Sequence, residues 1–313
     1  MAGSNRFVHI VDDVTDLGDD PVLVVALHGF LDAGNGSVLA VDHLEAGGAG
    51  PVVATFDVDA FHDYRARRPA ISFVEDHYES YDAPRLVVRV QRDVTGRAFL
   101  LLSGPEPDNR WEAFVGAVRE VVEALDVALV VSLGSVPMAV PHTRPLAVTQ
   151  HANRRELLLR ANQWRGELRI PSSAQALLEV RLGESGHPMT GWVAHVPHYV
   201  QGGEYPEAAR ALLAGVEDST GLTFDLDALK VAAERRSVEI AEHLAENPDV
   251  AELVAGMEQQ YDAFQRGVDE SLLATDQPIP TGEELGAEFE KFLAGLDGPD
   301  TTTDVPDSPE GDD

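Results

Sequence analysis

Residues 21–36 read PVLVVALHGFLDAGNG. Val22 to Leu27 is an unbroken apolar run, too short for a helix and too uniform for a strand with one wet face. Such a run is the signature of a strand buried on both sides, as in a parallel sheet covered by helices. Gly29, Gly34 and Gly36 follow at once, with Asp32 and Asn35 between them, and glycine permits positive φ and close backbone approach. Ser37 to Glu45 then opens a helix with Val38, Val41 and Leu44 on one face. Strand, glycine loop and helix form the first unit of a doubly wound α/β sheet. Ligands of such sheets sit beyond the carboxyl ends of the strands, so His28 to Gly36 is expected to line any pocket.

The rest of the chain extends this pattern. Residues 51–57 give a second strand, and 85–90 with 98–102 give a hairpin or two successive strands across Thr95-Gly96. Asn109 and Glu112 have capping-box spacing ahead of a helix whose core face carries Trp111, Phe114, Val118, Val121 and Leu125. Residues 127–133 predict another buried strand, ending in a small-residue loop at Gly134-Ser135. Strands over 146–150 and 191–196 follow, with helices over 171–182, carrying a proline in its first turn, and 205–216. Two long helical patterns, 226–246 and 250–272, are broken at Asn247-Pro248. The second is expected to bury Val250, Leu253, Met257, Tyr261, Phe264, Val268 and Leu272. Thr281 and Glu284 cap a last helix striped by Phe289 and Phe292. The expected organisation is an α/β/α domain over 1–225, a helical extension over 226–296 and a disordered acidic tail over 297–313.

Composition narrows the function. With 54 acidic against 23 basic residues the net charge is −31, which repels phosphate backbones and argues against nucleic acid as a partner. The first lysine is Lys230, so no P-loop lysine stands beside the glycines. Cysteine is absent, which excludes disulfides and thiolate chemistry. No apolar run reaches membrane-spanning length and the N-terminus lacks a signal-peptide core, so a cytoplasmic protein away from membranes is expected.

The candidate ligand-binding residues are His28, Asp32, Asn35, Asp57, Arg65, Arg67, Glu106, Ser135, His142 and His198. The arginines of 59–68 (DAFHDYRARR) suit either an anion or an ion-pair network. Ser135 lacks the G-x-S-x-G elbow that would make it a nucleophile. His195 and His198 imitate H-x-x-H, yet an odd separation on a strand sends them to opposite faces, and no metal site is expected. No cofactor is identified, and no subset of these residues forms an acid–base pair.

VALHGFLDAGNGSVLAVDHL, HTRPLAVTQHA, GWVAHVPHYV and YPEAARALL resemble segments of the proteasome assembly chaperone 2 family. FHDYRARRP and LLLSGPEPDNRWEAF resemble an actinobacterial branch of it. The resemblance spans roughly residues 7–245. It implies a three-layer α/β/α fold with a mostly parallel sheet, similar to nucleoside phosphorylases, in a homo-oligomer for which a trimer comes first. Members also carry an ATP-grasp carboligase label, which needs phosphate-binding lysines that the α/β part lacks. Family chaperones that dock on proteasome rings use a hydrophobic–Tyr–X terminus, whereas this sequence ends Gly311-Asp312-Asp313. The expectation is a non-catalytic, oligomeric, assembly-chaperone-like protein with a protein partner. The alternative is a phosphorylase- or hydrolase-like enzyme with its pocket at the strand C-termini.

Overall fold

The computed structural model describes residues 6–12, 14, 16–160, 166–200 and 202–273. The last helix (281–296) and the acidic tail (297–313) lie outside the described residues. From Pro21 the chain enters β2 (Val22–His28), preceded by the short β1 (Val8–Ile10) and followed by α1 (Gly36–Glu45). β3 (Val52–Phe56) and α2 (Val58–Phe61) come next, then β4 (Ile71–Val74) and β5 (His77–Tyr81), then β6 (Val87–Arg92) and β7 (Ala98–Pro105). α3 (Trp111–Ala124), β8 (Leu129–Met138), β9 (Val148–Ala152), α4 (Ala174–Glu184) and β10 (Met189–Pro197) complete the sheet. α5 (Pro206–Thr220), α6 (Asp227–Glu246) and α7 (Pro248–Leu273) follow.

Eight strands join in the order β1-β3-β6-β7-β2-β8-β10-β9, and β4-β5 stand apart as a two-stranded sheet. β2 pairs in parallel with β7 (Val24 opposite Leu101) and with β8 (Val24 opposite Val131), and β8 pairs in parallel with β10. β1, β6 and β9 run against their neighbours, so the sheet is mixed with a parallel centre. Alternate side chains of β2 feed two cores. Leu23, Val25 and Leu27 pack with Phe114 and Val118 of α3 and Leu178 of α4. Val22, Val24 and Ala26 pack with Ala40 of α1 and Ala208 and Leu212 of α5. Helices on both faces make three layers, and burying each of these larger aliphatic side chains stabilises the sheet by about 1.5–3 kcal/mol.

Four expectations need correction. β8 does not stop before Gly134: Gly134 and Ser135 stay paired with Val193 and Ala194 of β10. Their small size lets the loop after β2 lie against the strand, with the Ser135 N–H donating to the Leu31 carbonyl at 2.9 Å. The Asn109–Glu112 capping box does not form. The N–H groups of Asp108 and Asn109 both donate to the Phe61 carbonyl, and Arg110, left-handed at φ 57°, precedes a helix that starts at Trp111. Pro171 lies ahead of α4, whose N-cap is Ser173; its hydroxyl accepts from the Ala176 N–H at 3.0 Å. Finally, α7 buries Val254 and Met257, while Leu253 and Phe264 are about half exposed. The face is set by polar pins on the 143–145 segment. The Arg144 guanidinium donates twice to Asp262, at 2.7 Å each, Thr143 donates to Glu258, and the Tyr261 hydroxyl donates to the Pro145 carbonyl.

The residues divide into two compact units, one of 1–162 with 170–267, the other of 163–169 with 268–313. Among the second unit's described residues, Arg169 pairs with Glu167 at 3.2 Å. Among the described residues, no helix is long and apolar enough to cross a membrane.

Candidate functional site

The loop after β2 is held by the sheet at every turn. Gly29 passes so close to Glu106 that a Cβ there would fall 2.5 Å from its Oε2. That carboxylate accepts from the Phe30 N–H at 2.9 Å and, through its other oxygen, from the Ala174 N–H at 2.8 Å. Glu106 thus ties the loop to the start of α4. Asp32 Oδ1 accepts from the Ser37 N–H at 2.6 Å and so sits on the N-terminus of α1, where a carboxylate is favoured. Burial nevertheless pushes the Asp32 carboxyl up to about 6, against the downward pull of hydrogen bonds from Ser37 and Val38. The fully buried Ser135 hydroxyl donates to the Ala33 carbonyl at 2.7 Å. Gly34, at φ 65°, accepts at its carbonyl from the Tyr205 N–H at 2.8 Å. Asn35 is exposed and left-handed (φ 54°), with no side-chain bond to the helix it precedes. Asp32 and Ser135 therefore spend their polar atoms on the loop backbone.

A second cluster stands at the carboxyl ends of β2 and β7. Arg67 donates to Asp108 Oδ2 at 2.6 Å and to the Glu106 carbonyl at 2.6 Å. Its own carbonyl meets His62 Nε2 at 2.9 Å, which makes that nitrogen the protonated one. His62 Nδ1, buried without a hydrogen-bond partner, lies 3.8 Å from Asp108. His28 stands at the edge of this group. Loss of solvent, then the charges of Arg67 and His62, hold its ring below the ordinary histidine range. Arg67 is thus an ion-pair residue, bridging 62–67 to the loop that leaves β7.

The remaining candidates are dispersed. Asp57 is exposed before α2, its N–H donating to the Phe7 carbonyl. The Arg65 side chain is exposed and makes no ion pair among the described residues. His142 Nδ1 meets the Tyr199 hydroxyl at 2.7 Å, and burial lowers its pKa against the opposing pull of Glu258. His198 Nδ1 lies 3.3 Å from the Met138 carbonyl, while His195 Nε2 meets the Thr149 hydroxyl at 2.9 Å. The two histidines serve different strands, and the described residues hold no group of three metal-ligating side chains.

One feature has no counterpart in the sequence reading. The β4–β5 hairpin exposes Ile71, Phe73, Val74, Tyr78 and Tyr81, between 39% and 70% of each residue's surface. Its Glu75-Asp76 turn lacks the Asn-Gly or Asp-Gly signal of a tight hairpin, although Glu75 takes φ 51°.

The sequence profile of the PAC2 family matches residues 26–244. The chain belongs to the PAC2 family. That span runs from the end of β2 to the end of α6 and takes in both clusters. A Mycobacterium tuberculosis protein of unknown function is similar at 42% identity and TM-score 0.80, over 84% of this chain and 93% of that one. A Corynebacterium glutamicum protein of unknown function gives 35% identity and TM-score 0.78, over 83% and 99% of the two chains. A proteasome-assembly chaperone homologue from M. tuberculosis gives 33% identity and TM-score 0.66, over 74% and 99%. The chain shares its α/β fold with these structures; among curated proteins there is no match.

Proposed function

We propose that this PAC2 protein is a non-catalytic, self-associating protein-interaction module of the assembly-chaperone kind, acting in the cytoplasm. Kinship to the proteasome-assembly chaperone homologue supports the class, and the exposed β4–β5 hairpin carries the reading. A lone two-stranded hairpin is marginal in water, and five large apolar side chains on one arm call for a cover. The cover proposed is a second copy. The hairpin bears Glu75, Asp76 and Glu79, while Arg65 and Arg68 at its root are exposed and make no ion pair among the described residues. Acidic arm and basic root are complementary between copies. The side chains that enzyme chemistry would use are taken up in holding loops, as with Ser135 on Ala33 and Arg67 on Asp108.

The test is solution mass. The wild-type chain should run as a multiple of 33.7 kDa in light scattering, and a Phe73→Asp, Tyr78→Asp variant should fall to the single-chain mass. A monomeric wild type, or an unchanged variant, overturns self-association through this arm.

A further inference from the structure

A cavity of about 380 Å³ opens between the 142–146 segment, the first turn of α5 and the first half of α6. That volume is in the range of small-molecule sites. Its lining reverses the charge balance of the protein. Arg144, Arg210, Lys230 and Arg236 face it against Glu207 and Glu234, in a chain where acids outnumber bases 54 to 23.

Two of these cations are held by carboxylates and two keep free donors. Arg210 is bound by Glu207 at 2.6 and 2.8 Å, and Arg144 by Asp262. Arg236 gives only Nη1 to Glu239, at 3.0 Å, and its Nε is shielded from solvent with no hydrogen-bond partner. Lys230 makes no ion pair among the described residues, so its ammonium retains its donors. Tyr205 supplies an independent sign. It is 7% exposed, it lines the cavity, and its hydroxyl bonds to no group among the described residues, which leaves it free to donate into the cavity. Burial raises its pKa, which keeps the hydroxyl a donor. Pro145, Leu146 and Ile240 add an apolar wall.

We propose that this cavity binds a small organic anion, a phosphate ester or a carboxylate, with its charged oxygens toward Lys230, Arg236 and Tyr205 and its apolar body along Leu146 and Ile240. Lys230, Arg236 and Tyr205 keep free donors beside that apolar wall, against one carboxylate unpaired among the described residues, that of Glu234, and this surplus of donors selects anionic oxygens on an apolar body.

Phenyl phosphate and benzoate are the probes, titrated calorimetrically into the full chain at low salt. At least one should bind, and whichever binds more tightly assigns the anion as phosphate ester or carboxylate. Lys230→Gln and Tyr205→Phe should each weaken that binding about tenfold, as expected for a lost charge-assisted or buried hydrogen bond. Neither should move the melting temperature, since Lys230 is exposed and the phenol has no partner to lose. Arg119→Gln, on α3 away from the cavity, should bind as wild type. The proposal is overturned if neither probe binds up to about 10 mM, or if both variants bind as tightly as wild type.

Discussion

The loop after β2 and the β4–β5 hairpin are opposites in one chain. The loop has little conformational choice left: Glu106, Ser135, Tyr205 and the start of α1 together hold its backbone and Asp32, and its glycines lie against neighbouring atoms. The hairpin contributes apolar side chains that the described chain leaves exposed. A glycine-rich loop at the end of a buried strand has the look of a ligand site, yet here close packing is what the glycines serve. An arm without glycines or charged pockets is the unsatisfied surface. Saturation of partners, rather than residue type, separates scaffold from interaction surface.

Substitution on each side should separate these roles. The largest effect is expected at Gly34, where φ is +65° and a Cβ would fall 2.7 Å from the Tyr205 Cβ. Gly34→Ala should cost about 3 kcal/mol in urea unfolding, combining left-handed strain with overpacking. A cost under about 1 kcal/mol would show that the loop is not held as described.

The pH dependence comes next. The Asp32 carboxyl is raised to about 6 in the folded state, so the folded chain holds a proton there that the unfolded chain gives up at lower pH. Its ionisation therefore opposes folding, and its contribution to stability grows as pH falls from about 6 towards 4. His28, His142 and His195, all lowered, act in the opposite sense, losing stability as pH falls through their ordinary range. The wild-type curve mixes the two, and Asp32→Asn isolates one. Asn keeps an acceptor for Ser37, so relative to wild type the variant should gain about 1–2 kcal/mol at pH 7 and converge with it near pH 4. A difference constant with pH contradicts this.

Arg67→Ala should cost about 1 kcal/mol at neutral pH, because the Arg67–Asp108 pair is about one-third exposed and screened. The loss should shrink in acid as the Asp108 carboxylate takes up a proton, measurable as a closing gap between two denaturation series. The smallest effect on fold stability belongs to the hairpin. At concentrations where the wild type is itself dissociated, Phe73→Asp, Tyr78→Asp should unfold within about 0.5 kcal/mol of it. A larger loss would mean that the arm packs on its own chain.

Much of the central fold was legible from residues 21–36 and 127–133, because a run buried on both faces leaves an unbroken apolar signal. The β6–β7 hairpin and the helices α3, α5, α6 and α7 were legible for the same kind of reason, since one-faced burial leaves a period. Partner identity leaves no such trace. That Arg67 meets an acid was foreseeable from the surplus of acids, but that the acid is Asp108, 41 residues on, depends on the segment after α2 lying against the loop that leaves β7. Residue types alone determined that the chain is an acidic, cysteine-free α/β protein with central strands buried on both faces, because composition and periodicity are local properties. Only the tertiary structure decided that Ser135 belongs to a strand and holds a loop, that α7 turns Val254 inward, and that Lys230, Arg236 and Tyr205 line one cavity. Each of those depends on which distant backbone comes to lie alongside, and long-range pairing is written in no single stretch of sequence.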